Sequence, residues 1–110
     1  QSASPGTSAL HYAPKTHAEL VDEKNLASRL ADLPERVAVV AFAGTIVPAP
    51  HELFAMPRHA SAYAQMLYAT LRRADGAGAA SIIIVPPSDR GGLWDAAHDR
   101  IKRATARRVG

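Results

Sequence analysis

Two uninterrupted apolar runs organise the chain. Val37-Ala38-Val39-Val40-Ala41-Phe42 follows Arg36, and Ile82-Ile83-Ile84-Val85 is closed by Pro86-Pro87. Apolar runs of this length without alternation mark strands covered on both faces, as in a parallel sheet. Glu19-Leu20-Val21 and Glu52-Leu53-Phe54-Ala55-Met56 are shorter and more mixed, and predict two weaker strands. Between them the period changes. Leu26, Leu30 and Leu33 share one helical face after the candidate N-cap Asp22, and Pro34 ends that helix. From Ser61 to Ala74 a stripe of Tyr63, Ala64, Leu67, Leu71 and Ala74 predicts a second helix, stopped by Asp75-Gly76-Ala77-Gly78. A third begins near Leu93 and turns Trp94, Ala97, Ile101 and Ala104 or Thr105 inward. The order β-α-β-β-α-β-α predicts a small α/β sandwich, with a mostly parallel sheet between helices on both faces.

Residues 1–17 fit neither period. Pro5-Gly6 and Pro14 punctuate them, so they predict an extended linker, with the domain proper at 18–110. The chain opens on Gln1 within a Ser/Pro/Gly-rich stretch and without methionine, which reads as the interior of a longer protein.

Composition narrows the class. At 110 residues the chain is sized for one domain. Alanine supplies 23 of the apolar residues, so the core is expected to be thin. With no cysteine there is no disulfide scaffold and no thiolate metal site, and a reducing compartment fits. No apolar stretch is long enough to span a membrane. The start shows no basic segment followed by an apolar run, as a secretory signal would.

The net charge of +3 is concentrated late in the chain. Arg100, Lys102, Arg103, Arg107 and Arg108 follow Asp99 with no further acid. A basic terminal helix suits RNA phosphates. The simpler reading is that cations sit in the last turns of a helix because they complement its dipole.

Candidate chemistry is sparse. Gly76-Ala77-Gly78-Ala79-Ala80-Ser81 only superficially resembles a dinucleotide loop, because it ends a helix and precedes a strand. Neither strong strand ends in an aspartate, which removes a phosphorelay receiver. His11, His17, His51, His59 and His98 include no i, i+4 pair, and no metal site is expected. Ser88-Asp89-Arg90-Gly91-Gly92 joins a strand to a helix, where α/β folds often bind anions. Arg90 is therefore a weak candidate, against the plainer reading of a solvent loop. In the linker, Leu10-His11-Tyr12-Ala13-Pro14-Lys15 brings an imidazole, an aromatic ring and a cation into one non-helical segment. Such a segment can lie over a neighbouring site, with Tyr12 stacking and His11 or Lys15 donating, although residue type alone favours an ordinary tether.

Ser4-Pro5-Gly6-Thr7 followed by His11-Tyr12-Ala13-Pro14-Lys15 resembles the interdomain linker of the two-domain L-threonylcarbamoyladenylate synthases. Later stretches agree in order: Ala55-Met56-Pro57, Ala62-Tyr63-Ala64, Leu67-Tyr68-Ala69-Thr70-Leu71-Arg72 with Asp75, Ile82 to Pro87, Trp94-Asp95-Ala96-Ala97 and Asp99-Arg100-Ile101. The resemblance implies a small Rossmann-like C-terminal domain whose partner is an N-terminal YrdC-like catalytic domain. It implies an enzyme, a nucleotidyltransferase of the cytoplasm, that makes threonylcarbamoyl-AMP from L-threonine, bicarbonate and ATP. Its product feeds the threonylcarbamoyladenosine modification of tRNA.

By the same resemblance the linker folds across the catalytic cleft, and His11 and Tyr12 are the positions expected to reach the nucleotide. ATP and Mg²⁺ then belong to the whole enzyme, with no cofactor on this domain, no catalytic residue in it and no turnover from it alone. Thr7-Ser8-Ala9-Leu10 stands where many members carry Met-Lys-Tyr-Arg, so contacts from a basic or aromatic side chain there are lost. Without the partner domain, residues 1–17 are expected to be poorly ordered or to pack on a neighbouring copy of the chain. The competing reading is a stand-alone RNA- or nucleotide-binding module using the basic terminal helix, and tRNA or its modification machinery is a further candidate partner.

Overall fold

The structure, a computed structural model, describes residues 13–106. Its elements follow the expected order: β1 Ala18–Leu20, α1 Glu23–Asp32, β2 Val37–Phe42, β3 Glu52–Met56, α2 Ala60–Asp75, β4 Ser81–Ile84 and α3 Leu93–Thr105. The four strands form one sheet in the order β1-β4-β2-β3, every pair parallel. Val37 to Val40 of β2 lie opposite Ser81 to Ile84 of β4. The two strongest apolar runs thus become the two central strands, because only they are apolar enough to be covered on both faces.

Alternation along β2 sorts its side chains between two cores. Val37, Val39 and Ala41 join Ile83, Val85 and the α1 leucines Leu26 and Leu30. Ala38 and Val40 join Ile82, Ile84 and the α2–α3 layer on the other face. There α2 contributes Tyr63, Leu67, Leu71 and Ala74, and α3 contributes Ala97, Ile101 and Ala104. The result is the small Rossmann-like three-layer sandwich expected, with α1 alone on one face and α2 and α3 paired on the other. Alanines at 38, 97 and 104 let α2 and α3 pack close to the sheet, which is how an alanine-rich chain fills a core.

Three details differ from simple periodicity. Asp22 occupies the N-cap position of α1, but its side chain makes no capping bond. Trp94 is half-buried rather than a deep anchor, with its ring edge-on to Phe42 at 6.1 Å and tilted against Tyr63 at 5.5 Å. Parallel strands β2 and β3 are joined without a helix, by residues 43–51. Val47 of this segment packs onto the α1-side core, so an irregular loop covers the face where a crossover helix would usually lie. Gly44, at φ +93°, starts the loop in a backbone region that other residues avoid.

Candidate functional site

The segment entering β1 is held at the amino end of the sheet, and residues 13–17 do not hang free as their lack of periodicity suggests. Asp75, the last residue of α2, accepts the Thr16 N–H on Oδ1 at 2.9 Å and the Lys15 N–H on Oδ2 at 3.0 Å. One residue on, the His17 carbonyl accepts the Ile82 N–H at 2.8 Å, which starts the pairing of β1 with β4. Glu19 is then gripped by Arg29 of α1 through Nε at 2.6 Å and Nη2 at 3.1 Å. That guanidinium holds the Glu19 carboxyl below its ordinary range, against the opposing effect of partial burial. Residues 13–18 and the end of α3 at Ala104–Ala106 line a cavity of about 480 Å³.

The opposite, carboxyl end of the sheet carries an open cleft of about 810 Å³, where α/β folds commonly bind ligands. Its walls include Phe42, Thr45, Arg58, Lys24 and Asp89. Arg58 lies over the Phe42 ring, 4.6 Å from its centre. The Thr45 hydroxyl donates back to the Phe42 carbonyl at 2.7 Å. The cleft is thus rimmed by exposed charges of both signs.

The Ser88–Gly92 loop beside it does not offer a bare helix N-terminus. Asp95, in the first turn of α3, turns back and accepts the Gly91 N–H at 2.9 Å. The His98 ring bonds the Asp89 carbonyl at 2.9 Å. A carboxylate of the chain itself therefore occupies the position where an external anion would be drawn. Arg90 is exposed and stands outside the cleft lining. The geometry favours the solvent-loop reading of this segment.

The sequence candidates do not converge. His11 and Tyr12 lie outside the described residues. Lys15 is exposed at the amino end of the sheet, engaged through its backbone, and Arg90 follows β4 at the carboxyl end. The other histidines sit apart. His17 lies 3.7 Å from Glu19, His51 accepts the Val37 N–H at 3.0 Å, and the His59 carbonyl begins α2. Among the described residues no three His, Asp or Glu side chains gather as a metal site needs. No helix among them is long and apolar enough to cross a membrane.

The basic terminal helix is partly committed to the fold. Arg100 donates to the Ala64 carbonyl at 2.9 Å and lies 5.9 Å from the centre of the Tyr68 ring, and Arg103 pairs with Asp99 at 2.9 Å. The Arg100 contacts tie α3 to α2, the Arg103–Asp99 pair lies within α3, and both support the reading of this charge as part of the fold. Arg107 and Arg108 lie outside the described residues. Burial raises the Tyr63 hydroxyl well above its ordinary range, and it makes no hydrogen bond among the described residues.

What sequence reasoning missed is Asp75. In the sequence it stands only as part of a helix stop and of the family resemblance, and its partners are backbone amides that carry no side-chain signature.

Comparison with known proteins gives the family. The model of the threonylcarbamoyl-AMP synthase C-terminal domain matches residues 1–106. A search of curated proteins found no match. The match covers nearly the whole chain, from the opening Ser/Pro/Gly-rich segment through α3, and the chain belongs to the family of threonylcarbamoyl-AMP synthase C-terminal domains.

Proposed function

We propose that this chain is the accessory domain of an enzyme that makes threonylcarbamoyl-AMP from L-threonine, bicarbonate and ATP, releasing pyrophosphate, for the threonylcarbamoyladenosine modification of tRNA. In this reading the chemistry belongs to a YrdC-like catalytic domain on the amino-terminal side, and residues 1–17 are the linker between the two. The observation that carries the reading is the extent of the family match. It takes in residues 1–106, so the opening segment and the α/β domain are matched as one unit.

The linker's proposed task is closure. Threonylcarbamoyl-AMP is a mixed anhydride formed through a reactive carbamate, and both are lost to water. A segment laid across the site excludes solvent at that stage. Tyr12 stacks on the nucleotide and His11 donates to it, with Lys15 further along the same segment. A magnesium ion accompanying ATP belongs to the catalytic domain in this proposal. The domain's exposed cations then serve solubility and packing, and tRNA is met by the assembled enzyme in the cytoplasm.

The test is Tyr12→Ala in the two-domain enzyme. Loss of a stacking contact is expected to raise the KM for ATP or lower turnover by about 10-fold. Unchanged kinetics would remove Tyr12 from the site.

A further inference from the structure

The Asp75 carboxylate sits where its own helix does not favour it. As the last residue of α2 it stands at the negative end of the helix dipole, where a carboxylate is disfavoured and a cation is preferred. Arg72 and Arg73 in the same turn supply the preferred charge. The dipole of α2 therefore does not account for an acid at position 75.

What it adds lies fifty-nine and sixty residues away in sequence. Each carboxylate oxygen takes one N–H from consecutive residues, Thr16 on Oδ1 and Lys15 on Oδ2. Two successive amides converging on one charged acceptor fix both the position and the direction of that stretch of backbone, whatever its side chains are. The next restraint follows at once, with Ile82 donating to the His17 carbonyl and β1 pairing with β4 from Ala18 onward. The chain is therefore held without a gap from Lys15 into the sheet.

We propose that Asp75 is a positioning residue: its carboxylate anchors the backbone of Lys15 and Thr16, so that the chain enters β1 from one fixed point at the amino end of the sheet. This rests on the reading of residues 1–17 as a linker that closes over a catalytic site. A linker free to pivot at Thr16 reaches its closed position in a smaller fraction of molecules. Apparent affinity for whatever it closes on falls in proportion to that fraction. The anchor thereby lets the α/β domain act on a distant site without touching the reacting atoms.

The variant that separates anchoring from folding is Asp75→Asn. It keeps the side-chain shape, removes a charge that the helix dipole disfavours, and offers one acceptor oxygen in place of two. In the 110-residue chain, amide exchange at Lys15 and Thr16 is expected to accelerate about 10-fold or more. Exchange at Ile83 and Ile84 and the melting temperature are expected to stay as in the parent, because the helix end is relieved of an unfavourable charge. In the two-domain enzyme the KM for ATP is expected to rise several-fold, about 3- to 10-fold, with kcat nearly kept at saturation. Asp75→Glu, which restores a carboxylate, is expected to recover part of the loss.

Unchanged exchange at Lys15 and Thr16 would overturn the anchor. Accelerated exchange with unchanged KM would overturn the positioning role. A parent two-domain protein that releases no pyrophosphate from ATP with threonine and bicarbonate would overturn the proposed function instead, and the amide exchange would still decide the anchor.

Discussion

Arg29 of α1 holds both carboxylate oxygens of Glu19, on the edge strand β1, at 2.6 and 3.1 Å. This pair ties the short strand β1 to α1, immediately after the anchored segment. The sign of its pH dependence follows from the lowered Glu19 pKa. A carboxyl whose folded pKa lies below its ordinary 4.5 contributes stability that is complete above that value, and the contribution is lost as pH falls through the folded value. Melting temperatures at about pH 6 and about pH 3 should therefore differ less in Glu19→Gln than in the parent chain. An equal difference in the two proteins would show that the pair contributes nothing.

His51 carries a structural role that its position in a loop conceals. Its Nδ1 accepts the Val37 N–H, the first amide of the central strand β2, at 3.0 Å. His51→Phe keeps the ring and removes the acceptor, leaving a partly buried donor unpaired. The expected cost is about 1–2 kcal/mol, read by urea unfolding. A loss no larger than that of an exposed surface substitution would mean that solvent satisfies the Val37 amide.

Among the described residues two buried hydroxyls lack partners, Tyr63 Oη and Thr70 Oγ1. Each carries the cost of desolvating a polar group with no hydrogen bond to offset it. Tyr63→Phe and Thr70→Val remove those oxygens with almost no change of shape. Each variant is expected to match or exceed the parent in stability, by up to about 1 kcal/mol, and the two effects should add. Destabilisation by either would reveal a bond that the described geometry does not contain.

Most of the fold was legible because its strongest signals are local. Val37–Phe42 and Ile82–Val85 could only be strands covered on both faces, and the stripes through Tyr63, Leu67 and Leu71 and through Ala97 and Ile101 named the inward faces of α2 and α3. The strand order β1-β4-β2-β3 was not legible, because pairing between residues far apart leaves no periodicity. Thr70 is fully buried although its residue type points outward, since its place on the α2 stripe overrides its polarity. Val47 closes one face from an irregular loop, which no period marks.

The site was less legible than the fold. His11 and Tyr12 rest on the linker motif alone. The Ser88–Gly92 loop is only a weak anion candidate in the sequence, and the Asp95 carboxylate turned back on Gly91 lies where the anion would be drawn. Asp75 was hidden because a carboxylate that binds backbone amides leaves no trace in the residues it binds.

The central claim is that this α/β unit folds by itself but acts only with a catalytic domain across its linker. The most direct measurement is pyrophosphate release from ATP with L-threonine and bicarbonate, for the 110-residue chain alone, for the two-domain enzyme, and for that enzyme without residues 1–17. The account predicts no turnover from the chain alone, turnover from the two-domain enzyme, and a marked loss when the linker is removed. Turnover by the isolated chain, or undiminished turnover without the linker, would contradict it.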